Sequence, residues 1–104
     1  MKKLYSNLIN SLNGLKIVLK ENSFILELIL GVFLIPYIFL SNIDFNYKII
    51  LSVLYFLLLA FEIMNTAVEK LCDRVTTDLD PEIKKIKDLS SAAVFVVLLI
   101  LIIT

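Results

Sequence analysis

Residues 61–73 read FEIMNTAVEKLCD, and they close an apolar run, YKIILSVLYFLLLA, at 47–60. The run is long enough to cross a bilayer, for which about 20 residues suffice. It ends in two glutamates, an asparagine and an aspartate. On an α-helix continuing the run, Asn65, Thr66, Glu69 and Asp73 fall within about 60° of the line through Glu62. Glu62 and Glu69 are two turns apart on one side, with a rise of ~10 Å between them. Ile63, Met64, Ala67 and Val68 occupy the other face, where lipid or packing accepts them.

Working outward, two further apolar runs flank this one: FILELILGVFLIPYIFL at 24–40 and LSSAAVFVVLLILIIT at 89–104. Hydrophobic residues make up 60% of the 104, well above the usual globular share, so the class expected is an all-α membrane protein of one domain, 1–104. The expected spans cover about 24–41, 47–70 and 82–104. Pro36 is tolerable inside the first because neighbouring helices can satisfy the freed backbone groups. In the third, Asp80 suits an N-cap and Pro81 the first helical position. The helix therefore starts before the apolar run, which supplies its missing length.

Loop charge predicts the topology. Lys2, Lys3, Lys16 and Lys20 precede the first span, and Lys70, Arg74, Lys84, Lys85 and Lys87 lie between the second and third, whereas the loop at 41–48 carries only Lys48. The positive-inside rule places the N-terminus and the 70–88 loop in the cytoplasm and the C-terminus outside, in a multi-pass membrane protein. The stretch 3–21 is expected to be an amphipathic surface helix: Leu4, Leu8, Leu12, Leu15 and Leu19 form one narrow stripe with Lys3, Lys16 and Lys20 off it. Packing of that stripe on the protein's own spans is equally compatible with the pattern. The residues before the first span lack the solid apolar core of a cleavable signal, so the first run is expected to stay in the mature chain.

The composition narrows the chemistry. Ten basic and ten acidic residues cancel, giving no bulk attraction to nucleic acid. Histidine is absent and Cys72 is the single cysteine, which removes histidine-based triads, an intrachain disulfide and the usual zinc sites. Neither a G-x-x-x-x-G-K-[ST] nor a G-x-G-x-x-G stretch occurs. What remains is carboxylate chemistry. Glu27 lies three residues into the first span, and an ionised acid there costs roughly 2.5–3.5 kcal/mol on insertion scales. Carboxylates at such places bind Mg²⁺ or take a proton from a hydroxyl. Asn65 and Thr66 taken alone read as polar glue between helices. On this evidence an enzyme and a proton-coupled transporter built on Glu27, Glu62 and Glu69 stand level.

The residues carry more than that. EIMNTAVEKLCDR at 62–74 and KDLSSAAV at 87–94 closely resemble the prokaryotic diacylglycerol kinase family, small integral membrane kinases that include undecaprenol kinases. The pattern E-x-x-N-[ST]-A-[IV]-E-x-x-x-D is followed at the expected distance by K-D-x-x-[SA]-A-A-V, and KENSFILE at 20–27 is similar to the family's first block. The resemblance covers nearly the whole chain. It implies a homotrimer with active sites shared between protomers, and Mg²⁺-assisted transfer of phosphate from ATP to the hydroxyl of diacylglycerol, giving phosphatidic acid. By position it implies Glu62 as general base with Asn65 orienting the site, and Glu21 and Glu69 as metal ligands. It implies Asp78, Asp80, Lys87 and Asp88 near the nucleotide, and Glu27 and Ser91 lining the lipid side with Glu62. Relatives often carry a histidine where this chain has Asp80. Undecaprenol is the rival acceptor within the family; a transporter and a catalytically inactive interaction protein are the rivals outside it.

Overall fold

The computed structural model describes residues 1–76 and 79–104. Among these, four α-helices follow one another: α1 (Lys2–Val18), α2 (Asn22–Leu40), α3 (Phe45–Val75) and α4 (Pro81–Ile103). The last three are long and apolar enough to cross a membrane.

The helix boundaries follow local chemistry. α1 stops at Val18, short of the expected residue 21, because its end tightens: Lys20 N–H donates to Ile17 O at 3.2 Å and Glu21 N–H to Val18 O at 2.9 Å. These three-residue steps are the usual way a helix terminus narrows. Glu21 then turns extended (φ −88°, ψ 128°) and opens α2 without capping it by its side chain, so its carboxylate stays available. α2 runs through Pro36 to Leu40. Lys48 Nζ donates to Phe39 O at 3.3 Å, satisfying one of the carbonyls that a helix end leaves open. α4 starts at Pro81 as the Asp80–Pro81 pair predicts. One Asp80 carboxylate oxygen accepts from Glu82 N–H at 2.8 Å and Ile83 N–H at 3.4 Å. Replacing such a cap by alanine costs about 0.5–2 kcal/mol. We expect Asp80→Ala to lower the thermal unfolding midpoint in detergent and Asp80→Asn to leave it nearly unchanged.

α3 is the central element and packs against both α2 and α4. Its buried residues Leu51, Tyr55, Leu58, Glu62, Asn65 and Cys72 recur in steps of three, four and seven, the spacing that keeps one seam facing a neighbouring helix. α2 answers with Phe24, Gly31 and Ile38, each seven apart, and α4 with Val97 and Leu101. Ile38, Leu51, Leu58, Val97 and Leu101 form the apolar core. That core fills the half of the bundle nearest the α2–α3 loop. The half towards the α3–α4 turn buries Glu62, Asn65 and Thr66 instead.

The molecule is a slab, 51 × 39 × 20 Å, so much apolar surface stays outside: Phe33, Phe39, Phe56 and Phe95 are all more than half exposed. α1 buries only Val18, and the leucines of its stripe are exposed.

Candidate active site

The polar half of the bundle is organised by α3. Glu62, Asn65 and Thr66 are each 6–7% exposed, on the stripe whose register the sequence sets. Thr66 Oγ1 donates to Glu62 O at 3.0 Å. Its proton is therefore spent within the helix, which leaves the hydroxyl only its acceptor lone pairs. Asn65 Nδ2 donates to Glu69 Oε1 at 3.1 Å, one turn along. This bond fixes the amide and directs Glu69. Asn65 Oδ1 is buried and has no hydrogen-bond partner among the described residues.

From α2, Glu27 brings its carboxyl within hydrogen-bonding reach of Glu62. Its Oε2 is also buried without a partner among the described residues. Buried polar atoms left unpaired cost about 1–3 kcal/mol each, and native structures keep few of them outside functional sites. Among the described residues two of the three such atoms, Glu27 Oε2 and Asn65 Oδ1, belong to this cluster. Glu62 in turn lies close enough to Glu69 and Glu21 to feel both charges.

Glu21, at the head of α2, meets Lys70 of α3, Nζ to Oε1 3.4 Å. Both side chains are well exposed, so the pair is worth only about 0–1 kcal/mol, and a divalent cation could displace the lysine at little cost. Among the described residues no three His, Cys, Asp or Glu side chains gather into a cage. Mg²⁺ does not require one: it takes one or two carboxylates and completes its shell with phosphate oxygens and water. Glu21 and Glu69 are hard oxygen donors of that kind and fit it.

Across the α3–α4 turn, Lys87 Nζ pairs with Asp73 Oδ1 at 2.6 Å and lies within electrostatic range of Glu69. Asp88 pairs with Lys84 on α4 at 2.8 Å, Asp80 caps α4, and Ser91 is exposed on the same helix. A cavity of about 490 Å³ at the head of α4 is lined by Leu79, Asp80, Pro81, Ile83, Lys84 and Lys87. Asp78 lies outside the described residues.

The fold thus sets Glu27 beside Glu62 and Asn65 against Glu69, with Glu69 and Glu21 in electrostatic range of Glu62, Lys87 in range of Glu69, and Asp80 in the wall of the cavity at the head of α4. It ties Asp88 to a surface pair. Sequence reasoning gives no site role to three residues, Lys70, Asp73 and Tyr55. Lys70 and Asp73 act through pairs that cross between helices, and the relevant register is invisible in either helix alone. Tyr55 carries a signal that was available: it stands seven residues before Glu62, on the same face.

Known proteins are similar to this chain in sequence. The profile of the family described as prokaryotic diacylglycerol kinase matches residues 9–104. A diacylglycerol kinase of Sinorhizobium sp is 34% identical over 94 residues, covering 89% of this chain and 68% of the relative. One from Pseudomonas aeruginosa is 34% identical over 84 residues, covering 81% and 68%. One from Haemophilus influenzae is 39% identical over 92 residues, covering 86% and 77%.

Proposed function

The chain belongs to the prokaryotic diacylglycerol kinase family, and on that premise we propose that it transfers the γ-phosphate of ATP to the hydroxyl of diacylglycerol, with Mg²⁺, giving phosphatidic acid. It is an enzyme of lipid metabolism, a kinase with membrane-crossing helices. The observation that carries the reading is the meeting of Glu27 and Glu62 inside the bundle, one helical turn from the Asn65–Glu69 bond. A buried carboxylate stands on the lipid side, and exposed carboxylates stand two turns towards water. Diacylglycerol is favoured over undecaprenol as acceptor because each of the three relatives carries the name diacylglycerol kinase.

The chemistry follows from placement. Glu62 takes the hydroxyl proton of the lipid, the freed oxygen bonds to the γ-phosphorus, and the bond from that phosphorus to the β–γ bridging oxygen breaks, releasing ADP. Glu27 Oε2 and Asn65 Oδ1, both unpaired, accept or orient groups beside the base. Lys87 offers its ammonium to a phosphate as a point charge, exchanging Asp73 for it. Glu21 and Glu69 are the residues that would hold Mg²⁺, which when bound would neutralise phosphate charge. Most of the catalysis in phosphoryl transfer is of this positioning and electrostatic kind.

The positive-inside rule supports a cytoplasmic placement for the α3–α4 turn and the N-terminus, with the C-terminus outside. The exposed leucine stripe of α1 fits an amphipathic helix on that surface of the membrane. The wide apolar faces of the slab fit a homotrimer whose protomers complete one another's sites.

The test is direct. Protein in lipid receives labelled ATP and Mg²⁺ with diacylglycerol or undecaprenol. Label in diacylglycerol supports the reading. Label in undecaprenol alone moves the acceptor, and label in neither, with proton flux in sealed vesicles, replaces the enzyme by a transporter.

A further inference from the structure

Gly31 sits on the face of α2 that meets α3. A methyl group added there would overlap the ring of Tyr55, with the phenol oxygen as its nearest neighbour. The glycine is a notch and the tyrosine fills it. Tyr55 is 4% exposed, and its hydroxyl donates to the backbone carbonyl of Glu27 at 2.9 Å. The same oxygen lies within reach of the Gly31 N–H. One phenol therefore docks on the single helical turn of α2 that runs from Glu27 to Gly31.

That turn carries the Glu27 carboxyl on its other end. Tyr55 lies two turns from Glu62 on one face of α3, so the ring-in-notch contact stands one level from the place where Glu27 and Glu62 meet. Shape complementarity resists sliding and rolling of α2 along α3, because interiors are close-packed and bistable rather than smoothly deformable. The hydrogen bond adds a direction that an apolar ring lacks. We infer that Gly31 and Tyr55 form a register lock that positions Glu27 beside Glu62, which makes Tyr55 a positioning residue for binding of the lipid alcohol. The inference deepens the lipid-kinase reading and rests on it. Neither Tyr55 nor Gly31 touches the exposed carboxylates or Lys87, so the lock acts on the acceptor side and leaves the nucleotide side alone.

The test separates the two sides. Tyr55→Phe keeps the ring and removes the hydrogen bond. It is expected to raise the KM for diacylglycerol by about fivefold, the size of one neutral hydrogen bond, with the KM for ATP unchanged. Gly31→Ala is expected to lower kcat/KM for the lipid by roughly thirtyfold, and Gly31→Ala with Tyr55→Leu to recover most of that loss, since residues in contact are not additive. A Tyr55→Phe protein with both KM values unchanged, or both raised alike, overturns the lock, as does a double variant no better than Gly31→Ala alone. Should the unaltered protein phosphorylate no lipid, the kinase reading fails, and the lock is judged by thermal unfolding of the same set. There the double variant is expected to melt above Gly31→Ala; equal midpoints would again overturn it.

Discussion

Glu62→Gln is expected to reduce phosphate transfer to lipid by about a hundredfold to ten-thousandfold, the range a positioned general base contributes, while the protein still binds ATP with Mg²⁺. The substitution preserves shape and removes the proton acceptor. The amide can still satisfy hydrogen bonds in the buried position that Glu62 occupies, so the bundle should fold. Neither exposed carboxylate changes, nor does Lys87. Turnover measured with labelled ATP, alongside equilibrium ATP binding in the presence of Mg²⁺, distinguishes loss of the base from loss of the nucleotide site. A variant with near-normal turnover removes Glu62 from the proton-transfer step, and a variant that binds no nucleotide makes its role structural.

Glu69→Gln should behave differently. Its side chain accepts from Asn65 at 3.1 Å, and a glutamine oxygen accepts that bond equally well, so Asn65 keeps its orientation. What disappears is one anionic oxygen donor facing water. Activity at fixed Mg²⁺ is expected to fall by about tenfold to a hundredfold, on the order seen when a metal site loses a supporting carboxylate. The Mg²⁺ concentration for half-maximal rate is expected to rise in parallel, with partial recovery at high Mg²⁺. A fall in rate with an unchanged Mg²⁺ midpoint would remove Glu69 from the metal site, and an unchanged rate would leave it only the hold on Asn65.

The two substitutions act on residues whose placement was legible before any coordinates. Seven residues separate Glu62 from Glu69, and a helix converts that spacing into a shared face. The Asp80–Pro81 pair likewise announced where α4 begins, because capping and proline chemistry are local. What was not legible lies between helices. Glu27 meeting Glu62, Glu21 meeting Lys70 and Lys87 meeting Asp73 all depend on the register of one helix against another. That register is set by the short 41–44 connection and by contacts such as Gly31 with Tyr55. A glycine in an apolar run looks like a weak point in a helix, and only its neighbour reveals it as a socket. The end of α1 falls short of residue 21 because the four-residue backbone bond still holds at Leu19, the last leucine of the stripe, and gives way to three-residue steps at Lys20 and Glu21.

α3 is one unbroken helix of 31 residues, about 46 Å long, in a hydrocarbon layer of about 30 Å. Its far end is tied to α2 by the lysine that closes the 41–44 loop, and its near end bears the acids. A rod that overshoots its surroundings reports on their thickness. On the proposed reading, thinner bilayers lift the carboxylates away from the depth at which lipid glycerol sits, and thicker ones draw them down or tilt the rod. On that same reading, acyl-chain length in the host membrane acts on this protein twice, once as part of the acceptor lipid and once as the height at which the acids stand.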